Sequence, residues 1–497
     1  MVWSKDVSLV NGSRQKIQLT LAFPEDERGE APRASGDRVE PCAATDDTRD
    51  PVKLNSLMEA VLERTNLTRA LHKIQSNRGS RTPGVDGLPF YKLAAYLRKH
   101  WPTIKADLES GSYQPFPVKR VEIPKPGGPA RRVHSPRDPH NSGRSTHGTR
   151  RQSRPPSAVR KLGIPTALDR LIQQAVLQVL QPIFDPTFSD HSYGFRPGRS
   201  AHQAVAKAQS YQSEGYRWIV DMDLSKFFDR VNHDRLMARL AERISDASLL
   251  KLIRSFLTAG VLEDGLVSST DEGTPQGGPL SPLLSNIVLD ELDRELERRG
   301  HRFVRYADDS NVYVRTRRAG KRVMTSITRF VTDKLRLKVN EAKSAVDRPW
   351  NRKFLGFSFT PHRQPKRRLA PATVQRFKAK VRQLTRRTRG GSLEALLGYL
   401  RSYLLGWRGY FGFAETRSVL RDLDSWLRRR LRSLLWKRWK ISRVRFAELT
   451  AQGVSRDLAA QTCGSPHSPW RLSRSPALNI ALPNALWKSL GLPTLAS

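Results

Sequence analysis

Two adjacent aspartates, Asp308 and Asp309, interrupt a stretch that otherwise has the composition of a pair of buried β-strands. Strand-forming residues flank them on both sides, namely Phe303, Val304, Tyr306, Val312, Tyr313 and Val314. The segment 307–310 can connect two such strands as a hairpin. Two carboxylates at a hairpin tip repel each other, and a bound cation would relieve that repulsion. A lone Asp-Asp pair is more often an ordinary turn, so the metal-site hypothesis depends on other features of the chain.

A second pair of aspartates, Asp221 and Asp223, has the spacing of one face of a strand. The residues that alternate with them are apolar, namely Trp218, Val220, Met222 and Leu224. A helical segment is predicted to begin near Phe227, which places Asp223 at the end of the strand. Carboxylate oxygens are the ligands that Mg²⁺ prefers, and two such ions clamp the attacking and leaving oxygens of a phosphoryl displacement. The prediction is a two-metal centre in which Asp223 meets Asp308 and Asp309.

The charge balance of the chain indicates a polyanionic partner. Its 497 residues include 87 Lys and Arg against 47 Asp and Glu, and the sequence pI is near 11.0. Nucleic acid is the first expectation, and an anionic membrane surface is the alternative. We find no apolar run of about 18 residues and no secretory leader after Met1, so no membrane partner is expected. Cys42 and Cys463 lie far apart in unlike contexts, which excludes a disulfide framework and favours a reducing, cytoplasmic location.

Two segments of low complexity divide the N-terminal half of the chain. Residues 22–52 are polar and nearly free of large apolar side chains, which is typical of a disordered arm. A helical pattern begins at Leu54. A second segment, 134–160, is rich in Arg, Ser, Pro and His, and it interrupts an apparent two-stranded unit formed by "PVKRVEIPKPGG" and "KLGIP". It is expected to be flexible.

The C-terminal half is predicted to be helical and basic. In the segment 273–300, a Gly- and Pro-rich turn precedes a helix with an inward apolar face of Leu283, Leu284, Ile287, Leu289 and Leu292. Three amphipathic helices follow residue 371, and the last has Leu420, Leu423, Leu427, Leu431 and Leu434 on one face. Residues 361–440 contain 22 Lys and Arg but only four Asp and Glu. Interleaved aromatic side chains suit a groove for RNA, although most of them are expected to lie in the core.

Five ordered motifs resemble those of reverse transcriptases, and specifically the enzymes encoded by bacterial group II introns. They are "IPTALDRLIQQAVLQVLQPIFDPTFSD", "HSYGFRPGRSAHQAV", "DMDLSKFFDRV", "TPQGGPLSPLLSNI" and "YADD". The resemblance covers residues 54–490 or so, and it implies an α+β right-hand polymerase fold. In that fold, fingers and a palm with an antiparallel sheet that carries the YADD hairpin precede an all-α thumb and a basic helical maturase region.

The resemblance also implies domain boundaries. They are a largely disordered N-terminal arm (1–53), an N-terminal extension and fingers (54–217) with a flexible insertion (133–159), a palm with the catalytic centre (218–360), thumb and maturase helices (361–445) and a C-terminal maturase tail (446–497). Without paired cysteines in the tail, the chain looks like the endonuclease-lacking type.

Roles for individual residues are implied in the same way. Asp223, Asp308 and Asp309 would be the catalytic carboxylates, and the backbone carbonyl of Leu224 a further metal ligand. The deoxynucleotide would be bound by Lys125, Arg160, Lys161, Phe228, Gln276 and Lys343, and Phe228 would exclude a ribose 2′-hydroxyl. Template and primer would be contacted by Arg196, Arg199, Tyr306 and Gly356, the last within "RKFLGFSFTP".

The predicted triphosphate-binding turn departs from the family pattern. In the family a Lys-Pro-Gly-Gly turn leads almost directly into a basic strand, whereas here the insertion separates the two. Two basic pairs are therefore candidates, Arg131 with Arg132 before the insertion and Arg160 with Lys161 after it. The second pair is favoured because Leu162 to Pro165 continue from it as the family strand does.

The resemblance implies an RNA-directed DNA polymerase with two Mg²⁺ ions that also assists intron splicing and mobility. Its partners would be group II intron RNA, an RNA template, a DNA primer, dNTPs and target DNA, in the bacterial cytoplasm and associated with RNA or the nucleoid. One alternative is a splicing maturase without polymerase activity. Another is a domesticated reverse transcriptase in defence or repair.

Overall fold

The computed structural model describes residues 57–77, 79, 82–124, 159–263, 266–268, 272–274, 277–386 and 392–496. The predicted arm (1–53) and residues 133–158 of the predicted insertion lie outside the described residues.

Helices account for most of the described chain. They are α1 (Leu57–Leu62), α2 (Arg64–Ser76), α3 (Phe90–Glu109), α4 (Ala167–Phe184), α5 (Ala201–Ser213), α6 (His233–Ala241), α7 (Ala247–Thr258), α8 (Ser281–Arg298), α9 (Arg317–Asp333), α10 (Pro371–Leu384), α11 (Leu393–Phe411), α12 (Arg417–Arg438), α13 (Ser442–Ala451), α14 (Arg456–Gly464), α15 (Pro469–Leu472), α16 (Pro476–Ala481) and α17 (Asn484–Ser489). The strands are β1 (Val118–Pro124), β2 (Val159–Ile164), β3 (Trp218–Met222), β4 (Val261–Glu263), β5 (Leu266–Ser268), β6 (Arg302–Tyr306), β7 (Asp309–Val314), β8 (Ala345–Asp347), β9 (Phe357–Phe359) and β10 (Arg367–Leu369).

The chain forms two compact units, each assembled from separate stretches of sequence. Of the described residues, the first unit contains 57–123, Arg160–Phe188 and Lys226–Val288, and the second contains Ser189–Ser225 and 289–496. The contiguous domain boundaries drawn from the sequence stay a prediction.

The first unit combines a four-stranded sheet in the order β2-β1-β4-β5 with helices α1 to α4, α6 and α7. The neighbouring positions of β1 and β2 confirm the two-stranded unit that the insertion interrupts. Two thirds of the residues of helix α4 are buried, and α1 and α2 both pack on it. Its first turn is capped by Thr166, whose hydroxyl accepts a hydrogen bond from the backbone N–H of Asp169.

The second unit is built on an antiparallel sheet in the order β6-β7-β3-β8. Helix α9 packs against β3, β7 and β8 and comes very close to them at Gly320. A Cβ added there would lie 2.5 Å from Cγ1 of Val346, so the packing requires glycine.

The helices after the sheet confirm the sequence-based prediction of three amphipathic helices, which are α10, α11 and α12. The five leucines predicted on one face of α12 are all buried. Trp407 and Trp436 also lie in this core, while Trp426 and Trp439 pack against its edge. Among the described residues, no helix combines the length and the apolar character that are needed to cross a membrane.

Candidate catalytic site

The sheet register of the second unit brings the three predicted catalytic aspartates together. Strand β3 pairs with β7 so that Asp221 faces Asn311 and Met222 faces Ser310. One step further in this register, Asp223 falls opposite Asp309. Directly opposed residues of antiparallel strands have Cα atoms about 4.5–5.5 Å apart. Residues remote in sequence thus meet at one end of the sheet.

The connection between β6 and β7 is tighter than the four-residue segment expected from the sequence. Tyr306 pairs with Asp309, so only Ala307 and Asp308 form the turn and Asp309 already belongs to β7. Ala307 has a positive φ of 57°, as two-residue hairpin turns require at their first position. The turn is also closely covered, since a Cβ on Gly194 would lie 2.3 Å from the backbone nitrogen of Ala307.

A buried ion pair supports this turn from below. Arg305 and Asp293 are both fully buried, and Nε of Arg305 donates to Oδ1 of Asp293 at 2.8 Å. The same guanidinium donates through NH1 to the carbonyl oxygen of Ala307 at 3.0 Å. Because the guanidinium fork of an arginine is rigid, the ion pair with Asp293 also fixes the position of the Ala307 carbonyl. Arg305 is therefore a positioning residue for the turn.

The carboxylate of Asp223 is held by two side chains that follow α9. Nζ of Lys343 lies 3.1 Å from Oδ2 of Asp223, and Nδ2 of Asn340 donates to the same oxygen at 2.9 Å. The backbone is fixed as well, because the N–H of Asp223 donates to Oγ of Ser344. Leu224 is buried and forms an isolated bridge with Val339. The ammonium group of Lys343 therefore partly neutralises the carboxylate.

Asp221 lies beside this group and was not among the predicted site residues, although the sequence placed it on the same strand face as Asp223. Its carboxylate is paired with Arg352, at 2.6 Å from NH2. Burial raises the pKa of Asp221 in spite of that pairing. Asp221 thus contributes charge to the cluster while its side chain is occupied by Arg352.

The crowding of carboxylates changes the acidity of Asp309. The pKa of Asp309 is raised to about 6. The first cause is burial of the carboxylate, and the second is the negative charge of Asp308, Asp221 and Asp223. Because the residue remains partly open to solvent, we regard the like charges as the more important cause. Among the described residues, no three metal-ligating side chains are already gathered into a metal site. The donor set is nevertheless of the type that a hard divalent cation takes, and a cation would relieve the repulsion.

The first unit carries part of the predicted nucleotide-binding set. Phe228 and Lys161 line a small pocket of about 200 Å³, together with Gly163. Nζ of Lys161 lies 3.0 Å from Glu263, which also pairs with Arg120 at 2.7 Å. Hydrogen bonds from Arg120 and Lys161 lower the pKa of Glu263. Arg120 and Glu263 were missed because their strands are distant in sequence.

Other members of that set cannot be placed in full. Lys125 and Gln276 lie outside the described residues, and only the backbone of Arg160 is described, within β2. Gly277 follows Gln276 and has a positive φ of 132°. A Cβ on Gly277 would lie 2.2 Å from the carbonyl oxygen of Gly163, so the glycine-rich turn permits close approach of this backbone.

The four residues predicted to contact template or primer have different environments. Arg196 is buried, and its NH1 donates to the carbonyl of Ser189 at 2.6 Å. Arg199 pairs with the exposed Asp190 at 2.6 Å. The ring of Tyr306 is half-buried, with its centroid 6.4 Å from that of Phe195. Their nucleic-acid contacts stay predictions.

Gly356 occupies a sharp turn before β9. It has a φ of 86°, and a Cβ added to it would lie 2.9 Å from the ring of Phe411. Its carbonyl accepts a hydrogen bond from Oγ1 of Thr373 at 2.8 Å. The turn is thus tied to α10 through Thr373 and to α11 through Phe411.

One signal in the sequence could have identified the buried ion pair. Asp293 lies within the apolar stripe of α8, between the buried Leu289, Leu292 and Leu296. An acidic residue in such a stripe requires a partner, because an unpaired buried charge is very costly. Nothing local in the sequence identifies Arg305 as that partner.

Two family models match this chain. The reverse transcriptase (RNA-dependent DNA polymerase) model matches residues 147–359, which include all three aspartates. The maturase-specific domain of group II introns matches residues 374–452, which lie in α10 to α13 and the following turn.

Similar proteins agree with these matches. Protein YkfC of Escherichia coli is 36% identical over 262 residues, which cover 52% of this chain and 60% of that protein. The group II intron-encoded protein LtrA of Lactococcus lactis is 36% identical over 230 residues, which cover 45% of this chain and 32% of that protein. A chain of a Cas6-RT-Cas1–Cas2 complex is 22% identical, with a TM-score of 0.34 over 58% of this chain and 45% of that chain, which is too low to support an argument. Residues 147–359 of this chain thus match the reverse transcriptase family and residues 374–452 match the maturase-specific domain of group II introns, while the chain spans less than two thirds of the length of YkfC and LtrA, the relatives to which it is similar.

Proposed function

We propose that the chain is an RNA-directed DNA polymerase that copies intron RNA into DNA and assists the splicing of that RNA. The observation that carries the polymerase proposal is the register that sets Asp223 opposite Asp309, one residue from Asp308. Within the right-hand polymerase fold that we propose, the sheet of the second unit is the palm and β6–β7 is the catalytic hairpin.

The proposed chemistry requires divalent cations. Asp223, Asp308 and Asp309 would hold two Mg²⁺ ions, with the carbonyl of Leu224 as a further ligand. When bound, such ions activate the primer 3′-hydroxyl and neutralise charge on the triphosphate. The chain itself positions these carboxylates, through the contact of Arg305 with the turn and of Asn340 with Asp223.

The remaining predicted residues would bind the substrates. Lys343 can exchange its contact with Asp223 for a triphosphate oxygen, because its side chain is 62% exposed and carries the ammonium group on a flexible four-carbon stem. Lys161, released from Glu263, would bind phosphate together with Lys125 and Arg160. Phe228 would select against a ribose 2′-hydroxyl, with Gln276 beside the incoming nucleotide.

Template and primer would lie against the second unit. We propose contacts with Arg196, Arg199, Tyr306 and Gly356, of which Arg199 and Tyr306 retain surface that a nucleic acid can reach. The positive charge of the chain supports an RNA template, a DNA primer and target DNA as partners, because phosphate contacts dominate such affinity.

Primer extension on an RNA template tests the polymerase proposal. The purified chain should extend a labelled DNA primer with dNTPs in Mg²⁺, and Asp308→Asn should abolish extension. Asp333→Asn, an exposed position at the end of α9, is the matched control and should leave extension intact. Extension that survives Asp308→Asn would refute the catalytic assignment. A chain that never extends a primer, but still promotes splicing, would support the maturase alternative.

The match of residues 374–452 to the maturase-specific domain carries the splicing proposal. Group II intron RNA from the flanking sequence of the gene should splice at low Mg²⁺ only when the chain is added. Asp308→Asn should retain this activity, because folding of the RNA needs binding rather than nucleotidyl transfer. Equal splicing with and without the chain would contradict the proposal. Absence of intron RNA domains around the gene would favour the domesticated role in defence or repair.

A further inference from the structure

The sheet of the second unit has two chemically different ends. At one end, β3 and β6 finish and β7 begins, and the carboxylates of Asp223, Asp308 and Asp309 gather there. At the other end, β6 begins at Arg302 and β7 finishes just before Arg315. Arg302 pairs with Tyr313, and Val314 pairs with Trp218. At about 3.3 Å per strand residue, Asp309 and Arg315 are roughly 20 Å apart.

The second end contains an open pocket of about 540 Å³. Four arginines and one histidine line it, namely Arg299, His301, Arg302, Arg315 and Arg322. Among the described residues that line this pocket, none is a carboxylate. Its volume lies within the range of ordinary ligand pockets, which is about 300–1,000 Å³.

Two of the arginines lie beside a neutral side chain. Arg302, Arg315 and Tyr216 line the same pocket, and the proximity of the two guanidinium groups lowers the pKa of Tyr216. The guanidinium of Arg315 also lies over the Tyr216 ring, 5.2 Å from its centroid. A phenol carries no negative charge at neutral pH, so Tyr216 does not neutralise these two guanidinium groups.

Arg299, another arginine of the pocket, has a charged partner. NH2 of Arg299 lies 2.6 Å from Glu295, and its NH1 donates to Oγ of Ser326 at 2.9 Å. Arg299 therefore closes the wall of the pocket, while Arg302, Arg315 and Arg322 supply its positive charge. Burial and the charge of Arg299 lower the pKa of His301, which keeps that ring neutral.

We propose that this pocket binds a phosphate group of an RNA backbone, as a second nucleic-acid contact distinct from the catalytic end of the sheet. Guanidinium forks match phosphate oxygens in pairs, and Arg302 and Arg315 line the same pocket. A backbone phosphate fits better than a free anion because α9 continues the positive surface beyond the pocket. Its N-terminal segment includes the exposed Arg317, Arg318 and Lys321.

Protection from an arginine-selective reagent tests the site and the source of the phosphate. The unmodified chain is treated with phenylglyoxal in the presence of a short single-stranded RNA, inorganic phosphate or AMP at equal phosphate concentration. Modified arginines are then located by mass spectrometry. RNA should protect Arg302 and Arg315 at least about tenfold better than the two small anions, while Arg329, which lies on α9 outside the pocket, stays reactive. Equal protection by inorganic phosphate or AMP would refute the RNA assignment, and no protection by any of the three would refute the site.

Salt dependence of RNA affinity gives an independent measurement. Arg302→Gln with Arg315→Gln should weaken binding and reduce the slope of log affinity against log salt by about 0.7, the value for one phosphate of a single strand. Arg243→Gln with Arg329→Gln removes the same charge from exposed positions outside the pocket. Equal slopes for the two double variants would overturn the proposal. Primer extension by the unmodified chain is measured separately, so failure here leaves the polymerase proposal untouched.

Discussion

The guanidinium of Arg305 is completely buried against the carboxylate of Asp293, 12 residues earlier in the chain. The same group donates to the carbonyl of Ala307, the residue with positive φ that precedes Asp308. One buried ion pair thus sets both the stability of the sheet and the geometry of the proposed catalytic turn.

Asp293→Asn should lower the free energy of unfolding by about 3–5 kcal/mol, because it leaves the buried Arg305 without its counter-charge. Asp234→Asn is the control, since that aspartate is 81% exposed in its pair with Arg254 and should lose less than about 1 kcal/mol. Chemical denaturation measures both. Equal losses would contradict the assignment of the buried pair.

The positioning role of Arg305 is separated from stability by Arg305→Lys. Lysine keeps the charge but cannot donate to Asp293 and Ala307 with the fixed fork of arginine. At a temperature where the variant is folded, kcat of primer extension should fall at least about tenfold while KM for dNTP changes little, because only the turn is displaced. An unchanged kcat would mean that Arg305 is structural only.

Lys343→Gln should have opposite effects on metal and nucleotide. The pair with Asp223 is exposed, so unfolding free energy should change by less than about 1 kcal/mol. Without the competing ammonium, the Mg²⁺ concentration for half-maximal extension should fall, whereas KM for dNTP should rise because the triphosphate loses a counter-charge. Lys338→Gln, at an exposed neighbouring position, should change neither value. If Lys343→Gln raised both the Mg²⁺ concentration for half-maximal extension and KM for dNTP, the proposed exchange of Asp223 for a triphosphate oxygen would be contradicted.

Gly277→Ala should destabilise the first unit because its Cβ would lie 2.2 Å from the carbonyl oxygen of Gly163. Gly87→Ala is a matched control, with a φ of 65° but no atom within 4 Å of the added Cβ. We expect Gly277→Ala to cost about 1–3 kcal/mol more than Gly87→Ala, since it adds a steric clash to the backbone strain. Equal unfolding free energies would show that the turn relaxes freely.

The stability of the first unit should depend on pH through Asp169. Burial raises the pKa of Asp169 to about 6, although Thr166 and Tyr113 donate hydrogen bonds to its carboxylate. The unfolded value is about 3.9, so the folded chain holds a proton that the unfolded chain has released. The stabilising contribution is fully present well below the unfolded pKa of about 3.9 and is lost as the pH rises through the folded pKa of about 6, by about 3 kcal/mol in total.

Denaturation of Asp169→Asn across the same range tests this dependence. The asparagine does not titrate, so the difference in unfolding free energy between the unchanged chain and the variant should shift by about 2 kcal/mol from pH 4 to pH 6. A constant difference would contradict the raised pKa.

Much of the secondary structure could be predicted because its causes are local. The leucines of α12 recur at three and four residues and are buried, as a helix with one apolar face requires. The strands β6 and β7 were predicted from their β-branched and aromatic residues. The length of the turn between them was overestimated, because strand pairing extends to Tyr306 and Asp309. Pairing of that kind depends on the partner strand and not on the propensity of the residues in the turn.

The site residues were predictable only where a motif names them. Asp223, Asp308 and Asp309 were given catalytic roles from quoted motifs, whereas Asn340, Arg352 and Asp293 were given no role. These three contact the site or its supports from positions 12 to 131 residues away from their partners. Side chains so far apart in sequence meet only after the sheet register is set.

The amino-acid sequence by itself determined the helical and strand periodicities, the excess of positive charge and the chemical type of the three proposed catalytic groups. Tertiary structure decided which side chains neutralise, orient and cover those groups, and it gathered Arg302, Arg315 and Tyr216 at the far end of the same sheet. The physical reason is the separation along the chain over which each property is set. Periodicity and charge are properties of neighbouring residues, whereas an ion pair or a buried contact forms only between groups that the packed fold brings within a few ångströms.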